Sequence, residues 1–260
     1  MPMSHDTLLV ERRDPIAMLV LNRPDRFNTF STELAEALNR ALVELDRDEA
    51  VRVVVIRGAG KAFSTGIDLA EYAGKSPEAY REWIALMDRM NLTIAAMAKP
   101  VIAMAHGYAV ANGAGLLAAA DFAVVAEGTR IGTTAINVGL LCSGPIIPLS
   151  YGLGKKRALE LLLGGELIEA REAERLGMVN RVVPEARLEE ETLVLANRLA
   201  AKSPTAIRAG KRFYYRMIDL PFAERFRLAT EVFSELCTSE DAREGVEAFL
   251  EKRKPVWKGR

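Results

Sequence analysis

Apolar positions in the first half of the chain follow two alternating rhythms. Residues 7–13 and 16–21 are short strand candidates on either side of a turn at Asp14-Pro15. Residues 51–56 form a nearly continuous β-branched run, the pattern of a strand covered on both faces. Between these strands, Leu34, Leu38, Ala41, Leu42 and Leu45 keep helical spacing behind an N-cap at Ser31 or Thr32. Ser76-Pro77 reads as a second cap with proline in the first turn. It opens a helix with Tyr80, Ile84, Met87, Ile94 and Met97 on one side, which Lys99-Pro100 stops. Residues 101–105 and 121–126 are further buried strands. After Val183-Pro184 the strands give way to helices over 187–202, 203–217, 221–237 and 239–254. Alternating strands and helices followed by helices alone predict an α/β body over 1–195 and a helical region over 196–260, with the boundary near Ala196.

Charge and composition narrow the partners. Lys plus Arg number 35 and Asp plus Glu number 35, a neutral balance that argues against DNA binding through a strongly basic face. The most lipid-like window, residues 107–126, contains Asn112, Asp121 and three glycines. A mid-membrane Asp costs ~2.5–3.5 kcal/mol, so this window is read as core and no membrane span is expected. Residues 1–14 hold no apolar stretch long enough for a signal peptide. His5 and His106, like Cys142 and Cys237, lack metal-ligand spacing, and two distant cysteines make no disulfide framework. A reduced, cytoplasmic setting is expected.

Glycine-rich turns follow two of the buried strands. The first runs from Arg57 through Gly58, Gly60, Lys61 and Gly66 to Leu69; the second runs from Ala105 through Gly107, Asn112 and Gly113 to Leu116. Each turn places unpaired main-chain N–H groups at the carboxyl end of a strand, around a helix start. Two such donors meeting at one point form an oxyanion hole; the bland alternative is that the glycines serve only tight turns and close packing. A third stretch, residues 131–145, could wall the same cleft. Gly113-Ala114-Gly115-Leu116-Leu117-Ala118 also matches a dinucleotide-binding fingerprint, but the acidic residue expected ~20 positions on is missing, since Glu127 follows Gly115 by only twelve.

Taken in order, several segments resemble the enoyl-CoA hydratase/isomerase (crotonase) family. They are Leu21-Asn22-Arg23-Pro24 with Asn28, Lys61 to Leu69, Lys99 to Ala103, Gly107-Tyr108-Ala109, Gly177 to Pro184, and the run from Asp241 to Lys254. The run from Ile136 to Pro145 is similar to a divergent branch of that family, enoyl-CoA hydratase domain-containing protein 3. The resemblance implies a spiral of ββα turns, a C-terminal trimerisation region, and a homotrimer or dimer of trimers. The implied partner is an acyl-CoA thioester, with coenzyme A as part of the substrate and no separate cofactor.

Carried over residue by residue, the resemblance has the backbone N–H groups of Thr65 and Asn112 polarise the thioester carbonyl. Asn112 stands where the family usually has Gly, and Asn tolerates unusual φ/ψ. Coenzyme A positions map onto Arg26, Phe27, Ala62, Ser64, Gly66, Ile67 and Asp68. Phe249 and Lys252 match positions contributed by a neighbouring subunit, although Lys252 also fits a solvated helix end. The two glutamates of the family's hydratases fall on Gly115 and Ala135, neither of which can carry a proton. Asn137, Cys142 and Ser143 are candidates for the acyl pocket. His106, Asp68, Glu71 and Asp121 supply no convincing replacement base. The expected function is therefore a thioester-polarising lyase or isomerase with weak hydratase activity at best. The alternative is a non-catalytic acyl-CoA-binding protein. RNA binding through a basic helix gains little support from the neutral charge.

Overall fold

A computed structural model describes residues 7–260, so His5 lies outside the described residues. Strands β1 (Leu8–Arg13) and β2 (Ile16–Leu21) form a hairpin. Helix α1 (Thr32–Arg47) starts at Ser31, whose hydroxyl accepts the Leu34 N–H, as its spacing predicts. Strand β3 (Val53–Gly58) begins two residues later than its apolar run, because the Val51 N–H closes the turn after α1 on the Asp48 carbonyl at 3.0 Å. Helix α2 (Pro77–Ala96) is capped by Ser76 as expected, and β4 (Val101–Ala105) follows it. The chain continues through β5 (Tyr108–Val110), α3 (Asn112–Ala119), β6 (Phe122–Ala126) and β7 (Arg130–Gly132). Helices α4 (Ile146–Gly152) and α5 (Lys155–Gly164) lead to β8 (Leu167–Glu169), α6 (Ala170–Arg175) and β9 (Arg181–Val183). Helices α7 (Leu188–Ala200), α8 (Pro204–Met217), α9 (Phe222–Cys237) and α10 (Glu240–Leu250) complete it.

The main sheet has the order β1-β2-β3-β4-β6-β9 and is parallel except for its first pair. Alternate residues of each strand face opposite ways. Leu19, Ile56, Ala103 and Val125 pack beneath α1, α2 and α3, whereas Met18, Val55, Ile102 and Val124 pack against Leu188, Leu195 and Ala196 of α7. Cover on both faces explains why these strands read as unbroken apolar runs. A second sheet, β5-β7-β8, lies beyond the ends of β4 and β6 in sequence.

The division expected at 195/196 needs correction. It falls inside α7, which closes the second face of the sheet, so the helices without a strand to cover begin at Ser203. Helix α10 also stops short of the expected residue 254. Lys252 takes a left-handed conformation (φ 56°) and the Arg253 N–H turns back to the Ala248 carbonyl at 2.9 Å, a helix-ending pattern. Helix α8 is pinned to the sheet through Lys211, whose ammonium lies 2.6 Å from Asp121; the same carboxylate accepts the Val101 N–H at 2.7 Å. Among the described residues no helix is long and apolar enough to cross a membrane.

One junction aligns the two glycine turns. Ser64 bridges Ala109 in parallel fashion: its N–H reaches the Tyr108 carbonyl at 3.1 Å, and its carbonyl accepts the Val110 N–H at 2.9 Å. Gly107 (φ 61°) makes this approach possible, since a Cβ there would lie 2.0 Å from the Lys61 carbonyl oxygen. Gly107→Ala is expected to cost about 3 kcal/mol or more, because a left-handed backbone and a main-chain clash act together. Gly128→Ala, with open space around it, should stay within about 0.5 kcal/mol. Urea unfolding midpoints of the two variants check the contrast.

Candidate active site

Asn28 organises the entrance to the first glycine turn. It is fully buried, and its side-chain oxygen accepts the Arg23 N–H at 2.8 Å. Its amide donates to the carbonyls of Ala59 and Ala62, both at 2.8 Å, while its own carbonyl accepts the Ser64 hydroxyl at 2.8 Å. Ala62 and Ser64 are thereby held in the interior. Asp68 is buried beside Arg23, 2.7 Å away, and caps the short turn after it through the Ala70 N–H. The Arg23 guanidinium and that N–H hold its carboxyl below the usual range despite burial. Arg26 and Phe27 are exposed on the same loop.

The second turn enters α3 through Ala111, which has φ 50° and ψ −119°. That conformation is nearly exclusive to glycine and costs ~1–3 kcal/mol in other residues. It corrects the expectation for Asn112, which is the first helical residue and needs no unusual φ/ψ of its own. The strain falls one residue earlier and sets the direction of the Asn112 N–H. Gly66 (φ 102°) lies against this turn: a Cβ on it would stand 2.7 Å from the Ala111 Cβ and 3.5 Å from the Asn112 nitrogen. The Thr65 N–H is directed to the Phe27 carbonyl at 3.2 Å.

Thr65 and Asn112 both line a cavity of ≈ 430 Å³ between α2, the start of α3 and residues 134–145. Most of its other walls are apolar, among them Ile67, Ile84, Val138 and Leu141. Tyr72, Tyr80 and Trp83 cluster along one side, with ring centroids 5.4 and 6.5 Å apart. Cys142 and Ser143 also line it; burial pushes the Cys142 thiol up, which keeps it protonated. Asn137 does not line it. Its amide donates to the Gly165 carbonyl at 2.9 Å, turned toward the loop after α5, which corrects its assignment to the acyl pocket. His106 bonds the Gly60 carbonyl at 2.8 Å, and Glu71 accepts from Thr32, so both serve the scaffold. Phe249, in the last turn of α10, and Lys252, just past it, are not among these lining residues.

Asp88 is the residue that the sequence reading misses. It lies on α2 at the spacing Tyr80, Ile84, Asp88, a charged residue continuing the stripe whose other members line the cavity. Its carboxylate accepts the Asn112 side-chain amide at 3.2 Å and packs so closely over Gly144 that a Cβ there would fall 2.2 Å from both oxygens. Burial pushes its carboxyl above the ordinary range, against the lowering effect of that one hydrogen bond. The two expected glutamate positions differ from one another. Ala135 lines the cavity, whereas Gly115 is buried behind Pro145, with room for a Cβ only 2.9 Å from the proline Cα.

This α/β architecture, with a cavity walled by two glycine turns, belongs to a known class. Residues 11–260 match the enoyl-CoA hydratase/isomerase family, and the chain belongs to that family. The fold is the crotonase spiral of ββα turns with helices at its C-terminal end. The chain is 34% identical over 247 residues to enoyl-CoA hydratase domain-containing protein 3, mitochondrial, of Rattus norvegicus, covering 95% of this chain and 82% of the relative. Human enoyl-CoA hydratase domain-containing protein 3 superposes with a TM-score of 0.91 at 33% identity, over 96% of this chain and 100% of that one. An enoyl-CoA hydratase of Mycobacterium smegmatis superposes at 0.94 with 39% identity, over 97% and 99%.

Two outcomes follow from the packing. A carboxyl raised by folding binds its proton more tightly in the native chain, so the native state loses stability as pH rises through the carboxylate range. Asp88→Asn keeps an acceptor for Asn112 and should unfold at higher urea than the wild type at pH 7, with the gap closing below pH ~4. Gly115→Glu should instead cost about 1–3 kcal/mol of stability through overpacking against Pro145, read as a lower urea midpoint.

Proposed function

We propose that the protein binds an acyl-CoA thioester and polarises its carbonyl with the main-chain N–H groups of Thr65 and Asn112. The observation that carries this reading is their shared place on one mostly apolar cavity in a chain of this family. As the first residue of α3, Asn112 offers an N–H that its helix cannot use, at the positive end of the helix dipole. The Thr65 N–H bond to Phe27 is at the long end of the normal range, so a charge-bearing oxygen competes with it well. A preorganised donor of this kind is worth ~2.7–4 kcal/mol where negative charge develops.

Coenzyme A would run along the Asn28-braced loops, past Arg26, Phe27, Ala62, Ser64, Gly66, Ile67 and Asp68. Main-chain groups carry much of that contact, since the side chains of Ser64 and Asp68 are already engaged within the protein. Phe249 and Lys252 would approach the nucleotide end from a neighbouring subunit of a homotrimer or dimer of trimers. Phe222, Phe226 and Phe233 on α9 and Phe249 and Leu250 on α10 are each at least 64% exposed, an apolar surface suited to such an assembly. The free thiols of Cys142 and Cys237 suit a reducing, cytoplasmic setting.

Loss of both glutamates at Gly115 and Ala135 favours a second reading, an acyl-CoA-binding protein without turnover. Titration calorimetry with butyryl-CoA and assay of crotonyl-CoA hydration test the two together. Saturable butyryl-CoA binding is expected, with hydration far below the ~10 s⁻¹ of an ordinary enzyme. Absence of binding would remove the acyl-CoA reading, and hydration at an ordinary rate would show that the missing glutamates are not needed.

A further inference from the structure

Among the described residues lining the cavity, Asp88 is the only carboxylate, and none of the lining residues is a lysine or arginine. Three largely buried carboxylates elsewhere among the described residues have evident structural partners: Asp68 has Arg23, and Asp121 has Lys211. Asp241 is held by the Ser203 hydroxyl and the N–H groups of Lys258 and Gly259. Among the described residues, the Asp88 side chain accepts a single hydrogen bond, from Asn112. A carboxylate kept in a mostly apolar pocket without a counter-ion is expensive, and an apolar residue at that point of the Tyr80, Ile84 stripe would pack at less cost.

Asn112 connects this carboxylate to the polarising amides. Its main-chain N–H is one of the two proposed donors to the thioester oxygen, while its side-chain amide holds the Asp88 carboxylate at 3.2 Å. A thioester seated on those donors would share one cavity with the Asp88 carboxylate. Cys142, a further titratable group on the wall, stays a neutral thiol because it is buried. Tyr80 donates its hydroxyl to the Tyr72 carbonyl at 2.9 Å.

Resting on the acyl-CoA reading above, we propose that Asp88 is the catalytic proton carrier of this site, acting in the isomerase activity that the family's name already includes, the double-bond shift of a 3-enoyl thioester. The carboxylate removes a proton from C2, and the C–H electron pair moves toward the carbonyl, leaving an enolate oxygen at the Thr65 and Asn112 amides. The proton then returns from Asp88 to C4. The enolate electrons re-form the carbonyl, the pair of the original C3–C4 double bond forms the new C4–H bond, and the double bond ends between C2 and C3. No water is consumed and no oxidant is needed. One group that alternates between base and acid suffices for this shift. Adding water requires two proton-handling tasks at once, and the positions 115 and 135 contribute to neither.

The test follows 3-hexenoyl-CoA and butyryl-CoA by proton NMR in D₂O, with butyryl-CoA binding measured by calorimetry on the same full-length preparations. Wild type should convert 3-hexenoyl-CoA to the 2-enoyl isomer and exchange the C2 protons of butyryl-CoA. Asp88→Asn should lose at least ~100-fold of both rates while binding butyryl-CoA about as tightly as wild type, with Asp88→Glu recovering part of the loss. Gly144→Ala, which displaces the carboxylate from its seat, should lose exchange as well and serves if Asp88→Asn does not fold. Asp88→Asn retaining wild-type rates would overturn the role of Asp88, as would a wild type that binds butyryl-CoA but neither exchanges nor isomerises. A wild type that does not bind butyryl-CoA would instead overturn the acyl-CoA reading on which the role rests.

Discussion

The short parallel bridge between Ser64 and Ala109 is the contact on which the site depends. Two segments about forty-five residues apart in sequence, each at the end of a different strand of the main sheet, are tied there by hydrogen bonds of 2.9 and 3.1 Å. The neighbouring strands β3 and β4 set the distance between the segments, and Asn28 braces the outer one from the far side. Every backbone feature of the proposed chemistry follows within three residues of that bridge: Thr65 and Gly66 on one side, Ala111 and Asn112 on the other. Without it the two turns would be independent loops, and loops that move separately cannot keep a fixed geometry between the two proposed donors.

Much of the scaffold was legible because its signals are local and strong. The β-branched runs mark strands buried on both faces, and Ser31, Ser76 and Ser203 cap helices where serine precedes a periodic stretch. The family motifs pointed to the two turns. Asp88 was not legible as a site residue, since a charge on a long amphipathic helix reads by default as solvent-facing. Only the packing of α2 against residues 134–145 turns it inward. Ala111 is hidden for a different reason: alanine gives no hint of a backbone that glycine would adopt freely, whereas its neighbour Asn112 is a residue type that tolerates such geometry. The misplaced boundary at residue 196 has a simple origin too. A helix that covers a sheet and a helix that covers other helices carry the same apolar periodicity.

Two costs are concentrated in one small region. Ala111 is held in a disfavoured conformation, and Asp88 is held away from water with no cation beside it among the described residues. Neither is general in this fold: among the described residues Asp68 and Asp121 are paired with cations, and most of the left-handed positions are glycines. Strained backbone and unpaired charge are the usual marks of residues retained for chemistry over stability. They adjoin the same asparagine, which reaches one through its peptide bond and the other through its side chain.

Pro145, pressed against the backbone of Gly115, also bears on the history open to this chain. The two positions onto which the resemblance maps the hydratase glutamates are not equally recoverable: 135 lines the cavity, while 115 is sealed by the ring in front of it. A lineage moving from this sequence toward water addition would first have to remodel the segment around the proline, and only afterwards could a long acidic side chain at 115 be tolerated. The order of substitutions is thus constrained, and each early step along that route would have to survive with no catalytic gain of its own.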